Sequence, residues 1–184
     1  MGLFDGLQKN FDKYKTYGSY HWQWYGKKLT YTRHVDYLKR FVKEKNSVVI
    51  GAGDGLIPAK LGIRGVDTNP YAIKLAARHK INIDLAKRGT LPYKKEEFDS
   101  AVISDSMQNF KNLRSALQET RRIIKNYLYV SLPSKQKIKE PGTFHSWEDP
   151  NKLVKDVEKN GFKLVEGPIL KVDRRRYYFK FQKA

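Results

Sequence analysis

Ser47-Val48-Val49-Ile50-Gly51-Ala52-Gly53-Asp54-Gly55 is the stretch on which the reading of this chain turns. Three β-branched residues run into a glycine-rich turn, the pattern of a short buried strand that stops abruptly. Glycines at alternate positions let the backbone turn tightly and let a ligand approach without meeting a Cβ. Leu56–Leu61 behind the turn predicts a short helix. The spacing is G-x-G-x-G. A dinucleotide fingerprint would want glycine at 56, where Leu56 stands, and no Gly-Lys-Ser/Thr follows to make a phosphate loop. The glycines alone fit a ligand cradle and an ordinary strand-to-helix turn equally.

Working outward, strands and helices alternate. Val35, Leu38, Phe41 and Val42 at helical spacing predict a helix over about 31–45. Ile63–Val66 reads as a second strand. Asn69-Pro70 is an N-cap with proline at the first helical position, opening a helix with Ile73, Ala76 and Ala77 inward. Lys80–Ile83 is predicted as a third strand, Leu91-Pro92-Tyr93 as a loop and Phe98–Ser104 as a fourth strand. Leu113, Ala116, Leu117, Ile123 and Ile124 share a helix face, and Tyr127–Ser131 is a fifth strand. Asp149-Pro150 caps a helix that stops at Gly161. Lys163–Glu166 and Tyr177–Phe181 close the chain as strands with no helix between them. The pattern predicts an α/β fold: a doubly wound, mostly parallel seven-stranded sheet, helices on both faces, and an antiparallel C-terminal edge hairpin. Ligands of such sheets bind beyond the carboxyl ends of the strands. The expected organisation is one domain over 1–184, with an aromatic cover at 1–30 and the core at 31–184.

Gly65-Val66-Asp67-Thr68-Asn69-Pro70 places a carboxylate at the end of the second strand, where it can accept both hydroxyls of a ribose. Asn69 is the better helix cap, which weakens a capping role for Asp67. At this point the chain resembles the class I, seven-stranded Rossmann-like S-adenosylmethionine-dependent methyltransferases. The Gly51–Gly55 loop is similar to the family's motif I, and Asp67 to its ribose-binding acid. Ile83-Asp84-Leu85 resembles the adenine-recognition segment after strand three. Leu91-Pro92-Tyr93 with Phe98-Asp99-Ser100-Ala101-Val102 is similar to the approach to strand four, and Leu117–Lys125 to the helix before strand five. The resemblance implies S-adenosyl-L-methionine as cofactor, S-adenosyl-L-homocysteine as product, and cofactor contacts at Ile50, Gly51, Ala52, Gly53, Gly55, Asp67, Thr68, Asp84, Leu85 and Ser104. Val49 departs from the pattern, since the family carries an acid there; Asp54 stands nearby in the loop.

Methyl transfer from a sulfonium needs the acceptor held in line and, for some acceptors, a proton removed. His21 and Asp105 are the candidate catalytic bases; His145 reads as a loop histidine. Tyr20, Trp22, Tyr25 and Ser106 are candidate acceptor contacts, the first three in an aromatic segment that can fold over the cofactor as a lid. Ser104-Asp105-Ser106-Met107 lacks the Asn/Asp-Pro-Pro-Tyr/Phe pattern of enzymes that methylate adenine N6, cytosine N4 or glutamine amides. With no cysteine in the chain, covalent pyrimidine C5 methylation, disulfides and thiolate metal sites are excluded; no metal is expected. A faint similarity to ribosomal-RNA ribose methyltransferases sets Lys28, Asp105, Lys135 and Glu166 in the order of a Lys-Asp-Lys-Glu set.

In 184 residues, 37 Lys and Arg against 19 Asp and Glu give a formal net charge of +18. Residues 1–46 carry 10 basic and 4 acidic side chains, 47–110 carry 9 and 7, and 111–184 carry 18 and 8. The cofactor third is nearly neutral and the flanks are basic. Lys135-Gln136-Lys137-Ile138-Lys139 and Arg174-Arg175-Arg176-Tyr177-Tyr178 mix cations with aromatics or apolar residues, as strand-binding surfaces do, so nucleic acid is an expected partner or acceptor. A solvated lysine-rich surface is the plainer reading of each run. Apolar stretches fall short of a membrane span, and the N-terminus lacks a signal-peptide core, so an intracellular, cytoplasmic protein is expected. The alternative to an enzyme is a methyltransferase scaffold without turnover that binds nucleic acid or a partner.

Overall fold

The computed structural model describes residues 10–87, 90–134, 143–170 and 174–184. Three helices precede the sheet: α1 (Asn10–Tyr17), α2 (Tyr20–Trp24) and α3 (Leu29–Phe41). Then come β1 (Ser47–Ile50), α4 (Leu56–Leu61), β2 (Arg64–Asp67), α5 (Pro70–Arg78), β3 (Asp84–Leu85), β4 (Phe98–Ser104), α6 (Leu113–Ile123), β5 (Ile124–Pro133), α7 (Pro150–Glu158), β6 (Phe162–Ile169) and β7 (Arg176–Lys183).

The seven strands form one sheet in the order β3-β2-β1-β4-β5-β7-β6. β1 pairs in parallel with β2 and β4, β2 with β3, and β4 with β5. β7 runs antiparallel between β5 and β6. The expected sheet with its C-terminal antiparallel edge is therefore present, and the order reverses between β1 and β4, the place where such sheets open a crevice.

Alternate residues of the central strands feed two cores. On one face Tyr31, Val35, Leu38 and Phe41 of α3 pack with Val49, Val102, Tyr129 and Tyr178. On the other, Leu113, Ala116 and Leu117 of α6 and Leu153 and Val157 of α7 pack with Val48, Ile50, Ala101, Ile103, Leu128 and Val130. Leu38 and Leu117 are fully buried, each removing a side chain from water at a gain of about 1.5–3 kcal/mol. α5 begins as its sequence predicts: Asn69 Oδ1 accepts from the backbone N–H groups of Tyr71 (3.0 Å) and Ala72 (3.2 Å), with Pro70 following.

Two strands differ from expectation: β5 begins at Ile124, a residue expected on the face of the preceding helix, and β3 is displaced. β3 is Asp84–Leu85, not Lys80–Ile83. The apolar residues of 80–83 serve the exit of α5: Lys80 takes a left-handed φ of 59°, and Ile81 N–H bonds the Ala76 carbonyl. Ile83 packs beneath Gly65, where a Cβ would lie 2.7 Å from its Cδ1. Among the described residues no helix is long and apolar enough to cross a membrane.

Candidate active site

The cleft opens at the carboxyl ends of β1, β2 and β4. Gly51 and Gly53 shape its floor with φ of 77° and 56°, a left-handed backbone that favours glycine. A Cβ on Gly51 would sit 2.8 Å from Ser106 Oγ, and one on Gly53 would sit 2.1 Å from Tyr14 Oη. The backbone N–H groups of Gly51 and Ala52 both bond the Val66 carbonyl at 3.0 Å, tying the turn to β2.

Asp67 ends β2 as predicted and holds the turn from the side. Its carboxylate accepts from Gly53 N–H (2.7 Å) and Asn69 N–H (2.8 Å). Burial pushes its carboxyl above the usual range, against the pull of the Asn69, Gly53 and Thr68 backbone N–H groups. Both oxygens retain acceptor capacity. Around it lie buried polar atoms with no hydrogen-bond partner among the described residues: Thr68 Oγ1, Asn69 Nδ2 and, across the cleft, Gln108 Oε1. Such atoms are costly unless something pairs with them. Asn69 and Gln108 line the polar cleft together with Gly51, Gly53 and Asp67, while Thr68 lines an apolar slot with Ala86, Leu91 and Phe110.

The N-terminal segment covers the cleft. Lys13, Tyr14, Tyr20 and His21 line it. Tyr14 stacks on Tyr20 with ring centroids 5.2 Å apart, and His21 lies between Tyr20 (4.1 Å) and Tyr31 (5.7 Å). Burial raises the Tyr14 phenol, and burial together with the Asp54 and Asp67 carboxylates raises Tyr20 to about 12, against a lowering hydrogen bond from Tyr14. Both stay neutral near pH 7.

At the far wall Asp105 has a left-handed φ of 50°, an unusual conformation for a non-glycine residue and one that marks functional sites. Its carboxylate accepts from Ser131 Oγ (2.9 Å) and pairs with Arg176 Nε. Burial would raise its pKa, but Arg176, His34 and the Ser131 hydrogen bond outweigh it and hold the carboxyl below the usual range. That arrangement keeps Asp105 an anion and makes it a weak proton acceptor. Behind it His34, 1% exposed, bonds Tyr178 Oη through Nδ1 (2.9 Å) and Ser104 Oγ through Nε2 (3.0 Å); Ser104 in turn lies 3.2 Å from Ser131 Oγ.

The structure thus brings Gly51, Gly53, Asp67, Ser104, Asp105, Ser106, Tyr20 and His21 to one cleft, with Ile50 and Thr68 in the adjoining slot. Ala52 lines a smaller cavity beneath the loop. Gly55 turns towards α5, where a Cβ would meet Ala76 and Ile81 at 3.0 Å. Other expected site residues are placed elsewhere. Asp84 does not line the cleft; its carboxylate is taken by Arg64 (3.0 Å) and Tyr93 (2.8 Å). Leu85 pairs with Asp67 in the sheet and stands 38% exposed, outside the apolar slot that Ala86, Leu91 and Phe110 line. Trp22 is a fastener, donating Nε1–H to the Asp54 carbonyl (2.8 Å) and stacking on His79. Tyr25 reaches Asp36 and lies under Lys60. Of the Lys-Asp-Lys-Glu set, Lys28 sits over Trp24 and Glu166 is exposed on the edge strand β6, while Lys135 falls outside the described residues. His145 stacks on Trp147, and its backbone N–H bonds the carbonyl of the cleft residue Gln108 (3.1 Å). Among the described residues no group of three His, Asp or Glu side chains is placed to hold a metal ion.

Sequence reasoning missed Tyr14, His34, Gln108 and Arg176. Arg176 was visible only as part of a basic run, and His34 only as a polar residue inside an apolar helix face.

Residues 48–129 match the family model described as a methyltransferase domain. An uncharacterised protein of Methanocaldococcus jannaschii is 22% identical over 95% of this chain and 89% of its own length. The fold is similar to an S-adenosylmethionine-dependent methyltransferase of Thermotoga maritima, described as a possible histamine N-methyltransferase (20% identity, TM-score 0.71, 99% of this chain and 100% of that one). It is also similar to the magnesium protoporphyrin IX methyltransferase of Synechocystis PCC 6803 with bound S-adenosylhomocysteine (14% identity, TM-score 0.69, 94% and 97% covered).

Proposed function

We propose that this chain, which has the domain and the fold of a class I S-adenosylmethionine-dependent methyltransferase, transfers a methyl group from that cofactor to an oxygen or nitrogen acceptor, with an anionic acceptor favoured. The observation that carries the reading is the pairing of Asp67 with the glycine turn beneath a cleft lined by unpartnered polar atoms. The residues fit the cofactor. Ala86, Leu91 and Phe110 offer an apolar slot for a base, with Thr68 Oγ1 as its polar contact. Asp67 and Asn69 face the position of a ribose, and the left-handed turn at Gly51–Gly53 admits a chain close to the backbone. Bound there, the cofactor supplies a methyl group made electrophilic by its sulfonium.

The chain's own part is orientation and exclusion of water. α1 and α2 roof the cleft with Tyr14, Tyr20 and His21. Asp105, fixed by Ser131 and Arg176, presents a negative charge to the cleft, which favours a nearby sulfonium by electrostatics. Lys13 in the lining and Arg176 beside Asp105 give the acceptor side its cations, and the basic flanks extend that field. RNA is an acceptor of the right charge, but among the described residues Lys28 and Glu166 do not join Asp105 in the cleft lining, so they give ribose 2′-O chemistry no support. The test is transfer of a tritiated methyl group from S-adenosylmethionine to RNA, DNA, protein and small-molecule fractions. Incorporation that is lost in Asp67→Ala is expected. Failure of the wild type to bind the cofactor at millimolar concentration in calorimetry overturns the reading.

A further inference from the structure

Asp54 is a buried carboxylate that the cofactor reading has not used. It sits inside the glycine turn, 1% exposed, and its charge is met from outside the sheet. His21 of α2 donates its backbone N–H to Oδ2 (3.1 Å), and its Nδ1 lies 3.0 Å from Oδ1. The neighbouring Trp22 donates to the Asp54 backbone carbonyl. One residue of the turn therefore clamps a five-residue helix in three places. Nδ1 bound to a carboxylate leaves His21 Nε2 for another partner, and among the described residues Nε2 has none. His21 also stands over the turn itself, its Cε1 3.9 Å from the Cβ position of Gly53.

Beneath this pair lies a cavity of about 50 Å³, walled by His21, Asp54, Val49, Ser104 and Asp105. It has two carboxylates and an apolar wall at Val49. Asp105 is already paired with Arg176, and the His21–Asp54 pair is a second polar anchor, the one that lies directly on the turn. A charged group arriving there needs such a partner, since an unpaired charge at a buried turn is costly.

We infer that the His21–Asp54 pair holds the charged α-amino-acid end of the cofactor, so that α2, and not the sheet, supplies the anchor that Val49 lacks. The inference rests on the cofactor reading above. In this role Asp54 is a positioning residue: it fixes the His21 ring and adds negative charge for the ammonium, while Nε2 makes the contact. The alternative, His21 as the proton acceptor in methyl transfer, predicts that cofactor affinity does not depend on it.

Calorimetry on the whole chain separates these. S-adenosylhomocysteine carries the amino-acid end; 5′-methylthioadenosine shares its nucleoside and sulfur but lacks that end. His21→Phe keeps the ring in its aromatic stack and removes both nitrogens, and Asp54→Asn keeps the shape and removes the charge. Each variant is first checked for an unchanged circular dichroism spectrum. The expected result is a loss of about 10- to 100-fold in affinity for S-adenosylhomocysteine, the range of one charge-assisted hydrogen bond, with 5′-methylthioadenosine unchanged within about twofold. Asp67→Ala should weaken both ligands. Unchanged S-adenosylhomocysteine affinity in the folded variants overturns the inference, and so does equal weakening of both ligands, which would mean that α2 only supports the pocket. Wild-type protein that binds 5′-methylthioadenosine but not S-adenosylhomocysteine also overturns it. Wild-type protein that binds neither overturns the cofactor reading itself.

Discussion

Gly53→Ala tests whether the N-terminal cover and the glycine turn are one unit. Two costs can be separated. The first is conformational: at φ 56° an alanine is left-handed, at about 1–2 kcal/mol. The second is steric. The new Cβ would stand 2.1 Å from Tyr14 Oη, far inside contact distance, so Tyr14 must leave its place. Tyr14 is 6% exposed, packs on Ala72 and Leu75 and stacks on Tyr20, and expelling such a side chain costs about 1.5–3 kcal/mol. The substitution should therefore cost about 3–5 kcal/mol, with melting lowered by about 2–4 °C for each kcal/mol at this chain length. If α1 undocks locally, the steric part appears instead as faster tryptic cleavage at Lys13 and Lys15. Tyr14→Phe removes the oxygen and leaves Cζ at 3.3 Å, a gap that a small shift restores. In that background Gly53→Ala should cost only its conformational 1–2 kcal/mol, about the figure given above for a left-handed alanine. The assay is thermal unfolding of the four proteins of this cycle, with proteolysis alongside. Equal cost of Gly53→Ala in both backgrounds, within about 0.5 kcal/mol, would refute the coupling.

Asp67→Ala strips the acceptor from two buried backbone N–H groups, and at about 1–3 kcal/mol for each unsatisfied donor it should lower the melting temperature without any ligand; an unchanged melt would count against the tie between turn and β2. Arg176→Met leaves Asp105 charged without its partner and should cost about 2 kcal/mol at pH 7, below the full penalty of a deeply buried pair because both side chains keep some exposure. Because Asp105 is held below its ordinary pKa, the stability it contributes is present above about pH 4 and is lost as pH falls through the lowered value. Urea unfolding should accordingly show the wild-type and Arg176→Met curves converging in acid; a gap that stays constant to pH 2 would contradict the assignment. Asn69→Ala removes the cap of α5 and should cost about 1 kcal/mol, read by the same unfolding.

How much of this was legible depended on the range of the interactions. β1, α4 and β4 fall at the predicted residues because each is written locally: a β-branched run ended by glycine, a turn into a helix, a run of apolar residues after Phe98. β3 was misplaced because Ile81 and Ile83 are apolar for a different purpose, closing α5 and filling the space under Gly65. The position of Asp67 at the end of β2 was legible from the strand before it. Asp84 follows a strand-like run just as plainly, yet Arg64 and Tyr93 draw its carboxylate away, and neither residue is near it in sequence.

By itself the sequence determined the α/β class, the glycine turn, the acid beside it and the basic flanks around a nearly neutral middle. Those features are set by neighbours a few residues apart, where steric and hydrogen-bonding preferences act directly. Only the tertiary structure decided which ionisable groups remain available. Asp105 is paired by Arg176, 71 positions away, and Asp54 by His21, 33 positions away. Tyr14 lies on Gly53 because α1 folds back across the strand ends. The charge and reach of a site side chain follow from whatever the fold packs beside it, and packing joins segments that no local pattern connects.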